Sequence, residues 1–222
     1  FNVMRLTEND EVVLVFDDHV KRLAKVIDSA EHRFEIIEEL DSNVELPAEV
    51  TIVAGFPKGD KLEFLAQKGT ELGMAKLWAF PADWSVVKWD GKKLAKKADK
   101  LAKITLGAAE QSKRNVIPEV TLFEKKEAFL AELEQFDRIF IAYEESAKEG
   151  ETAVLARELS QMKAGEKILF IFGPEGGISP EEIETFELKG GLKIGLGPRI
   201  MRAETAPLYA LASVSYALEL MK

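Results

Sequence analysis

From residue 50 to the end of the chain, short apolar runs alternate with segments of helical spacing, and no other feature of this sequence limits the fold as much. Strands are predicted over 50–54, 76–80, 120–123, 138–143, 168–172 and 192–196. Between them, helices are predicted over 60–72, 92–109, 125–133 and 152–162. Another starts at Ser179 and stops at Gly190-Gly191, and a last one fills 206–221. The helix at 60–72 places Leu62, Leu65, Ala66 and Leu72 on one face, and that at 92–109 does the same with Leu94, Ala98, Leu101, Thr105 and Ala108. Ser179-Pro180-Glu181-Glu182 is a strong helix start, with Ser as N-cap, Pro at the first position and Glu three residues after the cap. Near-continuous apolar strands separated by amphipathic helices predict an α/β domain with a parallel sheet covered on both faces.

Residues 1–45 have a different rhythm. They read as a small β-rich unit with strands over 12–16, 23–27 and 34–40, although 19–28 is also readable as a short helix. The polar stretch 41–47, with Pro47 near its end, is the linker to a domain spanning 50–222. The chain opens on Phe1 rather than Met, so residues upstream are expected to be missing.

Two glycine-rich loops in the last third carry the clearest functional signal. The first is Phe172-Gly173-Pro174-Glu175-Gly176-Gly177. The second is Gly195-Leu196-Gly197-Pro198-Arg199, running into Ile200-Met201-Arg202-Ala203-Glu204-Thr205-Ala206. Each leaves a strand and leads toward a helix, where glycines let a ligand come close to the backbone. Pro198 breaks any G-x-G-x-x-G dinucleotide fingerprint, and no Lys-Ser/Thr pair follows either loop to make a Walker A site. The two loops are therefore expected to form two walls of one pocket, with Glu175 on the first and Arg202, Glu204 and Thr205 beside the second.

The 222 residues carry a net charge of −9, which argues against wholesale nucleic-acid binding. That charge is uneven. Between Lys88 and Arg114 nine basic residues face three acidic ones, making a local basic face able to meet phosphate. Lys96 and Lys100 lie on the lysine helix, Gln111, Ser112 and Arg114 follow it, and Lys68 ends another helix. These six are the candidate RNA contacts. Trp78, Trp84 and Trp89 are each able to stack on bases or to pack in a core. The absence of cysteine removes disulfides and thiolate metal sites, and His19 and His32 lie far in sequence from the loops, so no metal is expected. No apolar stretch approaches a membrane span of roughly 20 residues and no signal-peptide pattern is seen, so a cytoplasmic location is expected.

The loop motifs, together with Gln67-Lys68, Thr70-Glu71-Leu72-Gly73, Ser85-Val86-Val87 and Glu110-Gln111-Ser112 with Arg114, resemble the small-subunit (16S) ribosomal RNA uracil-N3 methyltransferase family of the SPOUT superfamily. The resemblance spans nearly the whole chain. It implies a C-terminal trefoil-knotted α/β domain, an N-terminal PUA-like RNA-binding barrel that lacks its opening strand here, and a homodimer. It also implies S-adenosyl-L-methionine as cofactor and 16S rRNA of the small ribosomal subunit as partner. On these positions Phe172, Gly173, Glu175, Gly176 and Gly177 form one cofactor wall. Leu196, Gly197, Pro198, Ile200, Met201 and Ala206 form the other, with Arg202, Glu204 and Thr205 near the methyl group and the uracil. Gly69, Trp84, Lys113 and Ala203 depart from it, standing where the family more often has Ala, Arg, Gly and Thr.

The chemistry expected of such a site is stabilisation of a uracil anion. A carboxylate of ordinary pKa, about 4.3, is a poor acceptor for an imide proton, so a cation such as Arg202 or a lysine has the larger task. Glu204 either takes the proton or orients Arg202, and the sequence leaves both open. It also leaves open a ribose 2′-hydroxyl methyltransferase of the same superfamily and a catalytically idle RNA-binding assembly factor.

Overall fold

The computed structural model describes residues 6–143 and 153–221, and the chain falls into two compact units. The first comprises Phe1–Glu45 with Lys113–Val116, and the second comprises Leu46–Ser112 with Ile117–Lys222. Relative to the sequence reading, the second unit begins four residues earlier, and a four-residue stretch after the lysine helix groups with the first.

In the first unit, β1 (Glu11–Val15), β2 (Lys21–Asp28) and β3 (Arg33–Leu40) form an antiparallel sheet in that order. β2 pairs on both sides, which overrules a helix over 19–28; its buried Ala24 and Val26 are two apart, the strand period. His19 and His32 both adopt left-handed backbone conformations (φ 60° and 54°) in the connections flanking β2, so both histidines serve turns. Asp18 holds one of these turns by accepting from Val20 N and by a two-pronged ion pair with Arg22.

The second unit is built on a six-stranded parallel sheet. Its elements are β4 (Glu49–Gly55), α1 (Lys61–Glu71), β5 (Lys76–Phe80), α2 (Gly91–Gln111), β6 (Glu119–Leu122), α3 (Lys126–Ala131), β7 (Arg138–Ala142), α4 (Ala153–Ser160), β8 (Lys167–Phe172), α5 (Pro180–Leu188), β9 (Gly191–Ile194) and α6 (Ala206–Ser215). The expected start of α4 at 152 lies outside the described residues. The predicted helix over 125–133 is shorter, passing into a 3-10 turn at Leu133–Gln135, and the last helix changes to a π turn at Tyr216–Leu220.

Alternate residues of each strand serve opposite faces. Ile168, Phe170 and Phe172 of β8 pack with Phe140 of β7 beneath α1, α2, α4 and α6; Leu169 and Ile171 pack with Ile139 and Ile141 against Phe129 of α3 and Ile183 and Phe186 of α5. This two-sided burial is why the strands read as continuous apolar runs. The strand order is β6-β5-β4-β8-β7-β9. The chain thus winds outward from β4 through β5 and β6, crosses to β7, and returns to insert β8 between β4 and β7. The winding direction reverses beside β4, and open α/β sheets bind ligands at the carboxyl ends of strands at such a reversal.

Candidate functional site

Both glycine loops leave the carboxyl edge of this sheet. The first follows β8 and the second follows β9, and these strands flank β7. Two strand spacings, about 10 Å in all, therefore separate the loops' points of departure. Between them lies a cavity of about 860 Å³ floored by Ala142 and Tyr143 at the end of β7 and by Ile194 at the end of β9. Phe172, Gly173, Glu175, Gly176 and Gly177 line one side. Leu196, Gly197, Pro198, Ile200, Met201, Arg202 and Ala206 line the other.

The first loop is held by close backbone packing. A Cβ on Gly173 would stand 2.4 Å from the carbonyl carbon of Gly177, so only glycine lets the loop fold back on itself. Gly177 has φ 84°, a left-handed conformation, and its N–H donates to the Pro174 carbonyl at 2.9 Å. Gly55 at the end of β4 makes a further allowance, because a Cβ there would meet Pro174 Cδ at 2.5 Å. The loop then enters α5 through a complete capping box. Ser179 Oγ accepts from Glu182 N at 3.1 Å, and Glu182 Oε2 accepts from Ser179 N at 3.2 Å.

A cation that the sequence reading did not single out joins the two loops. Lys61 Nζ donates to Glu175 Oε1 at 2.8 Å and lies 3.7 Å from Glu204 Oε2. Lys58 N–H also donates to Glu175 Oε1, at 2.9 Å. Partial burial pushes the Glu175 carboxyl up, but the hydrogen bonds from Lys61, from its own backbone and from Lys58 outweigh it, and the net displacement is downward. The bond to Glu175 lifts the Lys61 ammonium above its ordinary 10.5, with Glu204 adding to the effect.

Glu204 and Thr205 are not wall residues. Glu204 lies beside Lys61, which itself lines the cavity; the Glu204 Oε2 is shielded from solvent and accepts no hydrogen bond among the described residues. Thr205 occupies the N-cap position of α6 without a side-chain capping bond, its N–H donating to the Arg202 carbonyl at 2.9 Å. Of the three residues expected near the reacting atoms, Arg202 alone reaches the cavity.

None of the six candidate RNA residues lines the cavity. Lys68 is paired with Glu71 at 2.8 Å, and Lys100 with Glu63 at 2.6 Å while remaining largely exposed. Lys96 and Gln111 are exposed on α2, and Ser112 Oγ donates to the Ala108 carbonyl at 2.6 Å. Arg114 corrects the sequence reading: it is buried in the first unit, where its guanidinium donates to the Glu45 carboxylate. Glu45 Oε1 also accepts from Asn115 N and Val116 N. Of the tryptophans, Trp78 is core, and Trp89 stacks on Phe56 beneath the Lys97 ammonium. Trp84 is 46% exposed and lines the cavity.

Residues 44–215 match the RNA methyltransferase domain family, and residues 1–39 match the RNA methyltransferase PUA domain. Over its full length the chain is 42% identical to the ribosomal RNA small subunit methyltransferase E of Bacillus subtilis (strain 168), covering 87% of that protein. The chain belongs to the ribosomal RNA small-subunit methyltransferase E family. A family member from Neisseria gonorrhoeae, solved bound to S-adenosyl methionine, is 26% identical with a TM-score of 0.78; the match covers 97% of this chain and 86% of that one. A methyltransferase from Legionella pneumophila, solved in complex with the same cofactor, is 28% identical with a TM-score of 0.79 and the same coverage. The α/β domain with its parallel sheet and the small N-terminal antiparallel sheet are thus the fold of this methyltransferase family. Among the described residues no helix is long and apolar enough to cross a membrane, and no group of three or more His, Asp or Glu side chains is placed to hold a metal ion.

Proposed function

We propose that this protein transfers a methyl group from S-adenosyl-L-methionine to N3 of a uridine in 16S ribosomal RNA. The observation that carries the reading is the cavity between the two glycine loops at the carboxyl edge of the sheet, in a chain 42% identical to a ribosomal RNA small subunit methyltransferase E. The residues present fit the cofactor. Gly173, Gly176 and Gly177 offer bare backbone on one side, and a Cβ at Gly173 would collapse that wall. Leu196, Gly197 and Met201 offer an apolar surface with accessible backbone on the other. When bound there, the cofactor supplies an electrophilic methyl group on a sulfonium.

The chain's own residues bind, orient and balance charge. Arg202 is exposed on the cavity wall, where its fixed positive charge suits a uracil anion. Glu204 faces Lys61, so it is better placed to fix the segment that carries Arg202 than to meet the substrate directly. Lys61 holds Glu175 and Glu204 from between, setting the spacing of the two loops.

The cofactor-loaded form is read as a homodimer. Supporting this are the exposed apolar side chains of Tyr209, Tyr216, Leu220 and Met221 along the C-terminal helix, with Ile200 on the second loop. The return of the chain from β9 into α6, which packs on α1 and β8, supports a knotted arrangement. The exposed lysines of α2, Lys96 among them, supply a face for ribosomal RNA, and the site of action is the cytoplasm. Nucleoside mass spectrometry of ribosomal RNA from a deletion strain tests the reaction. Loss of N3-methyluridine supports it, whereas loss of a ribose 2′-O-methyl group with N3-methyluridine intact overturns it.

A further inference from the structure

One side chain of the 81–89 loop reaches the cavity between the glycine loops, and it is the indole of Trp84. Its neighbours Asp83 and Ser85 face a separate cavity of about 480 Å³, lined also by Phe56, Val87 and Trp89. Trp84 is seated on the first glycine loop. A Cβ on Gly176 would stand 3.2 Å from Trp84 Cβ, and one on Gly177 would stand 3.8 Å from indole Cζ3. A side chain at Gly176 would therefore crowd Trp84 Cβ, one at Gly177 would only touch the ring, and nearly half of the residue remains exposed.

The backbone beneath this ring is fixed by a charge network. Glu182, 2% exposed, accepts from Asp83 N at 3.0 Å and from Lys126 Nζ at 3.1 Å through Oε1. Asp83 pairs with the same Lys126 ammonium and accepts from Ser179 Oγ at 2.8 Å. The Lys126 bond draws the Asp83 carboxyl below its ordinary range. Ser85 N closes the turn on the Ala82 carbonyl at 2.9 Å. Burying the Glu182 carboxylate is unfavourable unless it is matched, and Lys126 and two backbone N–H groups match it. What the network immobilises is a large apolar ring that gains only part of the burial a core position would provide. A flat ligand covering that ring would complete the burial.

We infer that Trp84 is a stacking platform for a nucleobase of the RNA substrate at the mouth of the cavity, a specificity-determining contact for the reaction proposed above, on which this inference rests. Phe172 at 2% and Ile194 at 0% exposure make an apolar, buried floor, whereas Trp84 at 46% and Ile200 at 76% form the rim with Arg202. A base entering from solvent meets the rim first. Trp84 gives it a π face, and Arg202 gives it a cation.

The test compares Trp84→Phe, which keeps a ring, with Trp84→Leu, which keeps apolar volume without one. Initial rates are measured with labelled S-adenosylmethionine and small ribosomal subunits lacking the modification. Calorimetry gives cofactor affinity for the same proteins. Trp84→Leu is expected to raise the KM for subunits by about 5- to 150-fold, the range measured for single base–aromatic stacks. It should leave the cofactor Kd within about twofold, and Trp84→Phe should restore most of the loss. An unchanged subunit KM, or a cofactor Kd that weakens in step with it, overturns the inference; the second result would assign the ring to the cofactor's own base. If the wild-type protein transfers no label, the activity reading has failed, and fluorescence decides the stacking independently. Subunits added to cofactor-loaded protein then quench emission in the wild type but not in Trp84→Phe if the base stacks there, and equal quenching in both refutes it.

Discussion

Gly173→Ala is the sharpest perturbation of the first loop. Its new Cβ would lie 2.4 Å from the Gly177 carbonyl carbon, 2.7 Å from the Gly177 oxygen and 2.8 Å from Ile178 N. All three are backbone atoms, so no side chain can rotate away. Ordinary carbon–carbon contact begins near 3.5 Å, and the loop must therefore open by about 1 Å. A displacement of that size at a preorganised site costs on the order of 100-fold, or about 2.7 kcal/mol. Turnover should fall by about that factor, and isothermal titration with S-adenosylmethionine should show weakened binding, while circular dichroism retains the native spectrum. Gly190→Ala is the control: Gly190 has positive φ (87°), but a Cβ there meets nothing within 4 Å, in the turn between α5 and β9. It should lower stability by about 1–2 kcal/mol and leave affinity unchanged. Cofactor binding by Gly173→Ala within threefold of wild type would refute the argument that this loop's backbone closure forms the pocket wall.

Lys61→Met should lower turnover by about tenfold or more, the scale of one lost charge-assisted hydrogen bond. The thermal midpoint should fall by no more than about 2–4 °C, because the ion pair is part-exposed and screened; a large midpoint shift with normal turnover would make the lysine purely structural. Lys113→Gly should stabilise by about 1 kcal/mol in urea unfolding, since Lys113 holds φ 56° just past the end of α2, where glycine escapes the Cβ penalty. Glu45→Ala removes the carboxylate that accepts from the buried Arg114 guanidinium and should destabilise by about 1.5–3 kcal/mol, the scale of a hydrogen bond to a charged group, visible as early loss of the first unit in hydrogen exchange. The pH dependence follows from the Lys61–Glu175 pair. Glu175 is depressed, so its contribution is present above the ordinary 4.5 and is lost as pH falls through the lowered value. Lys61 is raised, so its contribution is present below 10.5 and is lost as pH rises through the raised value. Cofactor affinity attributable to the pair should therefore be flat between these limits and weaken outside them, and a step near neutrality would contradict the assignment.

The alternation of strands and helices was legible because each strand of the second unit is buried on both faces. Residues such as Ile168–Phe172 leave no polar position for another structure to exploit. The capping box at Ser179 was legible for a local reason, its two hydrogen bonds spanning three residues. Strand order was not legible, since inserting β8 between β4 and β7 depends on pairing partners far apart in sequence. The same distance hid Lys61, which stands 114 residues from Glu175, and made Arg114 look like a surface cation when its partner Glu45 is 69 residues away. A side chain's exposure is settled by tertiary neighbours, so neighbouring lysines along α2 were a poor guide to an arginine beyond its end.

These long-range contacts explain why the site lies where it does. A glycine loop by itself supplies backbone but no fixed spacing to a second loop. Here the spacing has two sources: β7 intervenes between the parent strands, and Lys61, at the first turn of α1, spans the gap by engaging Glu175 on one loop and Glu204 beside the other. α1 follows β4, the strand next to β8, and Gly55 at the end of β4 admits Pro174 of the first loop. One strand end therefore seats the first loop directly and, through the helix that follows it, governs its distance from the second. Substitutions at Gly55 and Lys61 should accordingly interact in a double-mutant cycle on cofactor affinity. Additive effects would mean that the two loops are set independently.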